Sequence, residues 1–208
     1  MRPSQSLSTK LSPPFNLVFR YFLSGFLFYI LLFVFLFKFY EPLRGYFISF
    51  QIAFLVHMFF LGFVLNIIFG AMFQLIPVAL EKAIYSIPLA KWQFYIYEPG
   101  LVLMLYGFYN TSTNALSFGA VLVFISIVLF VFNFFMSIRG ISFTKITTKF
   151  LVVANLMFFM GALVGLGMTL NMRFGVLNIN YINWVLMHIV FMVFGFIFMS
   201  IMGLSMVL

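Results

Sequence analysis

Apolar residues run along this chain in six long blocks, separated by short clusters of charged, turn-forming or amide residues. The first block covers roughly residues 15–39 and gives way to Lys38, Glu41, Pro42 and Arg44. The second covers roughly 46–80, with Pro77 near its end and Glu81-Lys82 behind it. The third, roughly 92–109, stops at the polar turn YNTSTN; the fourth ends near Arg139-Gly140; the fifth covers roughly 149–171. After a loop rich in Asn and Gly, the sixth fills 181 to the end of the sequence. Runs of about 20 apolar residues are what a helix needs to cross a hydrocarbon core roughly 30 Å thick. A membrane β-barrel would instead show short alternating segments. The pattern predicts an all-α polytopic membrane protein: a mobile N-terminal tail over 1–14, then one six-helix transmembrane domain over 15–208. The second block is too long for a perpendicular helix, so it must tilt, project beyond the membrane or bend.

Composition agrees with this. Of 208 residues, 65% are hydrophobic and only 7% charged, too few charges to keep a soluble surface wet. The formal charge of +8 is scattered singly between the blocks, with no basic run to grip phosphates, so no nucleic-acid partner is expected. The chain has no cysteine, which rules out disulfides, thiolate metal sites, Fe–S clusters and thioether-linked haem within this sequence. MRPSQSLSTKLSPP is basic and Ser/Pro-rich without a small-residue cleavage site, so it reads as a cytoplasmic tail rather than a signal peptide. Six spans put both ends on one side. Arg2, Lys10, Arg20, Lys82, Lys91, Arg139, Lys145 and Lys149 would share that side, leaving Lys38, Arg44 and Arg173 opposite. That asymmetry predicts both termini in the cytoplasm; the membrane expected is a bacterial inner membrane.

Topology then constrains the chemistry. The chain has two histidines, His57 in the second span and His188 in the sixth. Both spans run from outside to inside. His57 lies about ten residues into its span and His188 about seven, so at 1.5 Å rise per residue their depths differ by only a few ångströms. Two imidazoles at matching depth on parallel helices can meet across the bundle. An imidazole in hydrocarbon must satisfy a donor and an acceptor. Each could bond a neighbouring backbone carbonyl or hydroxyl. Alternatively, the pair could be axial ligands of a haem iron, which needs only one or two imidazoles from the protein. Zinc or copper would be short of ligands here. Helical spacing places Tyr181, Trp184, Met192, Gly195 and Met199 on about the face of His188, and Gly195 would clear room for a macrocycle edge. A stripe of this kind is also what ordinary bundle core looks like.

Other patterns point to packing. Gly62, Asn66, Gly70 and Gln74 recur every four residues, roughly opposite His57, and read as a helix contact. Gly161, Gly165 and Thr169, with Gly167 adjacent, form a similar seam in the fifth span. Glu98, in YEPG, is the one acid inside a span, and Pro99 beside it frees a backbone carbonyl. It is a candidate to carry protons or touch a quinone head group; a protonated carboxyl bonded across the bundle is the structural alternative. Arg44 and Arg173, on the outer side, are candidates to pair with haem propionates, although snorkelling arginines would look the same.

His57, Gly70 and Pro77 resemble a feature of the catalytic subunits of haem-copper oxidases and nitric oxide reductases. There, a second-helix histidine ligates low-spin haem and the helix continues through glycines to a proline. Histidines on spans two and six also resemble that family's four-helix spacing. The resemblance implies haem b held by His57 and His188. With half of that family's roughly twelve spans and no histidine cluster for copper, the chain looks like a small relative, and a homodimer would restore the helix number. The expectation is a b-type cytochrome that passes single electrons, with a quinol or an outer-face cytochrome as donor. A five-coordinate haem protein that binds or reduces oxygen or nitric oxide is the first alternative, and a cofactor-free structural or transport subunit the second.

Overall fold

The computed structural model describes residues 11–45, 48–141 and 145–206. Among the described residues the chain forms six long helices and no strand. They are α1 (Phe15–Lys38), α2 (Phe50–Leu80), α3 (Ile87–Tyr109), α4 (Thr113–Ser137), α5 (Ile146–Phe174) and α6 (Tyr181–Ser205). All but α3 are long and apolar enough to cross a bilayer. α3 falls short because Lys91, Gln93, Glu98 and four tyrosines dilute it, although it is wedged against α1, α2 and α4. The predicted tail lies largely outside the described residues.

Local signals set the helix ends. Ser49, Ser86 and Ser112 each cap a helix by accepting a backbone N–H from three residues on: Ile52, Leu89 and Ala115 respectively. Asn180 does the same for α6 through Ile182 and Asn183. α5 closes at Gly175, whose φ of 65° suits a residue without a Cβ, and whose N–H donates to Asn171 O at 2.8 Å.

Three glycines let α3 and α4 pack almost backbone to backbone. A Cβ on Gly107 would sit 2.3 Å from Leu116 N, and one on Gly119 would sit 2.3 Å from Met104 N; Gly100 is similarly pressed against Leu122. Without a hydrophobic drive between helices in lipid, such close approach is what holds a hairpin together. The stripe read from α2 packs on α1 as expected at its glycines: Gly62 faces Phe28, and Gly70 faces Tyr21 and Phe22. Gln74 departs from it and is exposed.

The 31-residue α2 reaches its length with Pro77 inside it and with a wide π-helical segment at Met58–Leu65. α6 contains a second π segment at Val190–Phe198. α6 packs along α5 throughout, and its main contact with α2 lies between its last turns and the Asn66–Leu80 part of α2. The two helices therefore run parallel and part toward the end that carries the histidines.

Candidate functional site

The cleft between α2 and α6 holds both histidines. Their ring centroids are 6.3 Å apart and the planes are inclined by only 19°. At that separation two parallel rings do not touch. Each is fixed through Nδ1: His57 Nδ1 lies 2.7 Å from Ala53 O in its own helix, and His188 Nδ1 lies 2.7 Å from Gly161 O in α5. A carbonyl only accepts, so each Nδ1 carries the hydrogen and each Nε2 keeps its lone pair. No protein hydrogen-bond partner for either Nε2 occurs among the described residues. The backbone-bonding alternative from the sequence is thus present in half of each ring, and the other half is left open.

Glycines make this possible. Gly165 of α5 lies directly beneath the His188 ring, where a Cβ would stand 2.8 Å from its Cε1. Gly161 gives room to Met192 and supplies the carbonyl that orients His188. The α5 seam therefore packs on α6 and seats its histidine. On the α2 side, Phe108 of α3 lies against His57 at 4.8 Å between ring centroids. His57 itself sits at the start of the π segment. Carbonyls in that segment receive donors from side chains: Tyr97 donates to Leu61 O at 2.7 Å and Asn66 to Gly62 O at 2.8 Å.

The imidazoles line a cavity of about 610 Å³ bounded mainly by α2, α5 and α6. Its walls are almost wholly apolar, with Phe60, Leu65, Phe158, Phe196 and Met168 prominent. A smaller pocket of about 50 Å³ lies on the α3–α4 side, lined by Met104, Val123 and Phe124. Both spaces share His57, His188, Leu61, Phe108, Gly165, Thr169 and Met192. Ligand cavities of about 300–1,000 Å³ with few polar groups are typical of small-molecule and cofactor sites.

Other residues singled out by sequence lie elsewhere. Gly195 points at Met157 of α5, 2.6 Å from where its Cβ would be, and does not line the cavity. Trp184 packs over Gly167 and does not line it either. Tyr181 accepts a hydrogen bond from Asn171 Nδ2 at 3.0 Å. The Arg44 guanidinium lies over Tyr40, and that of Arg173 over Phe118 and Phe174. The cavity rim nonetheless reaches Ile48 and Met172, close in sequence to both arginines. Glu98 does not line the cavity and faces Ser24 and Asn66. Residues missed from sequence are Leu61, Phe108 and Phe196, whose apolar character carries no signal inside an apolar run.

No cluster of three or more His, Cys, Asp or Glu able to hold a bare metal ion occurs among the described residues. No family model, curated protein or solved structure matches the chain. Its helical, membrane-compatible architecture and its paired histidines therefore stand on the residues themselves.

Proposed function

We propose that the chain is a bacterial inner-membrane b-type cytochrome, with six spans and both termini inside, that holds one haem b between His57 and His188. The observation that carries this reading is the imidazole pair: nearly parallel, 6.3 Å between centroids, with each Nε2 unpartnered beside a large apolar cavity. His57 and His188, each with its Nε2 lone pair unused, would be the residues that hold the metal of such a group. A bare zinc or copper ion would lack further ligands here, whereas a haem would need only one or two imidazoles from the protein.

The chain's own residues would do the rest. Ala53 O and Gly161 O fix both ring orientations and raise the basicity of the ligating nitrogens. Phe108, Phe158, Phe196 and the methionines exclude water from the pocket. Arg44 and Arg173 are the cations available for propionates at the outer rim. When bound, the haem supplies a one-electron couple, and ligation by both histidines leaves no open position for a substrate. A quinol or an outer-face cytochrome is the class of donor that fits, and a homodimer is the assembly that the resemblance suggests.

The reduced visible spectrum of the purified protein, from cells able to supply haem, tests this. Sharp α and β bands, lost in both His57→Ala and His188→Ala, are expected. A broad high-spin spectrum that shifts with carbon monoxide would replace this reading with the five-coordinate one. A protein without a Soret band would end both and leave a cofactor-free subunit.

A further inference from the structure

Of the three acidic residues in the chain, Glu41 is exposed beyond α1, and Glu81 is exposed at the end of α2 and pairs with Lys145 at 3.5 Å. Glu98 differs. It lies mid-way along α3, and its carboxyl meets the side chains of Ser24 from α1 and Asn66 from α2. Its charge is felt by Tyr21 from α1 and Tyr97 from its own helix, and no cation pairs with it among the described residues. A bare carboxylate in that setting is costly.

The hydrogen-bond inventory around it has a specific gap. Glu98 Oε1 and Asn66 Oδ1 are both buried, and neither has a partner. Both are acceptors if the carboxyl is ionised, so no rotation of either group satisfies them. Asn66 is fully buried, and its Nδ2 already donates to Gly62 O. A carboxylic acid and a primary amide side by side have a natural solution. The amide N–H donates to one carboxyl oxygen, and the carboxyl O–H donates to the amide oxygen. One proton fills both gaps.

We propose that Glu98, Asn66 and Ser24 form a proton-binding site within the bundle, with the proton held between the carboxyl and the Asn66 amide oxygen. Ser24 donates to the carboxyl and keeps it facing Asn66. The site bears directly on α2: Asn66 holds Gly62 O and the neighbouring Tyr97 holds Leu61 O, both in the π segment that begins beside His57. Loss of the proton sets a carboxylate oxygen against Asn66 Oδ1 and turns the amide away from Gly62. This site does not depend on the cofactor reading, since it stands on groups outside the cavity.

Infrared spectroscopy of the full chain in lipid at neutral pH tests it, because the other two side-chain carboxyls are exposed to water. One protonated-carboxyl C=O band is expected, shifting in D₂O and on ¹³C-labelling of glutamate, and absent from Glu98→Gln. In Asn66→Leu that band should persist and move to higher frequency, having lost its hydrogen-bond partner. A wild-type spectrum without the band, or a band that survives Glu98→Gln, would overturn the proposal. An unmoved band in Asn66→Leu would overturn the shared proton. The wild-type isotope shifts decide the first point even where a variant does not fold.

Discussion

Gly165→Ala is the most informative single change, because one methyl group is aimed at one imidazole. The added carbon would stand 2.8 Å from His188 Cε1 and 3.2 Å from its Nδ1, where ordinary contact begins near 3.4 Å. The ring must retreat by at least about 0.6 Å, roughly the difference between those distances. It is not free to do so, because Nδ1 is tied to Gly161 O at 2.7 Å and Gly161 itself is crowded by Met192. Overpacking of this kind costs about 1–3 kcal/mol, and a stretched hydrogen bond adds up to about 1 kcal/mol. The second consequence is chemical. A displaced His188 no longer matches His57 across 6.3 Å, so the proposed low-spin spectrum should weaken or turn high-spin. Gly167→Ala is the control, since its methyl meets only the Trp184 ring, at 3.0 Å, and should leave the spectrum intact. Thermal unfolding in detergent, with the reduced spectrum recorded on the same samples, reads both effects. If Gly165→Ala matched the wild type in stability and spectrum, the seating of His188 on α5 would be wrong.

Other outcomes follow from the same contacts. Gly107→Ala forces a carbon to 2.3 Å from the Leu116 backbone and should destabilise the α3–α4 hairpin by about 3 kcal/mol or more, read by denaturant unfolding in mixed micelles. Asn133→Ala removes the side chain that accepts from Ser86 N at 3.0 Å and donates to Ser86 O at 2.9 Å, and should cost about 1–3 kcal/mol in the same assay. Tyr97→Phe strips the donor from Leu61 O and should cost about 0.5–2 kcal/mol while loosening the π segment, visible as faster amide exchange around Leu61. Because the chain has no cysteine, single cysteines report topology cleanly: a membrane-impermeant maleimide added outside intact cells should label Asn178→Cys and spare Lys82→Cys. The reverse pattern would invert the orientation.

Much of the architecture was legible because apolar blocks and their punctuation are unambiguous over 20 residues or more. Helix existence, the packing role of the α2 glycines and the α5 seam all follow from composition and spacing. The third span was the weak case, since Lys91, Glu98 and the tyrosines lower its hydropathy while bundle contacts hold it in place. What spacing could not supply was the phase of α6. Projecting a regular α-helix from His188 puts Gly195 on its face, but Val190–Phe198 is a π segment whose wider turns advance less per residue. Across the residues up to Gly195 the lag is roughly a quarter turn, enough to carry that glycine from the cavity onto Met157. In a segment that is apolar on every face, no polar residue marks such a slip.

The same feature gives the two histidines a common setting. Each stands at the start of a π segment, on parallel helices that meet at one end and part at the other. A wide turn is costly in lipid, because carbonyls moved off the regular ladder have no water to fall back on. On α2 that cost is offset by Tyr97 and Asn66, which donate to Leu61 O and Gly62 O from the side away from the cleft. Wide turns beside both histidines would serve the proposed reading, in which the two imidazoles are held apart around a haem. Asn66 and Tyr97 are then intelligible as the support of the α2 π segment rather than as isolated exceptions to an apolar core.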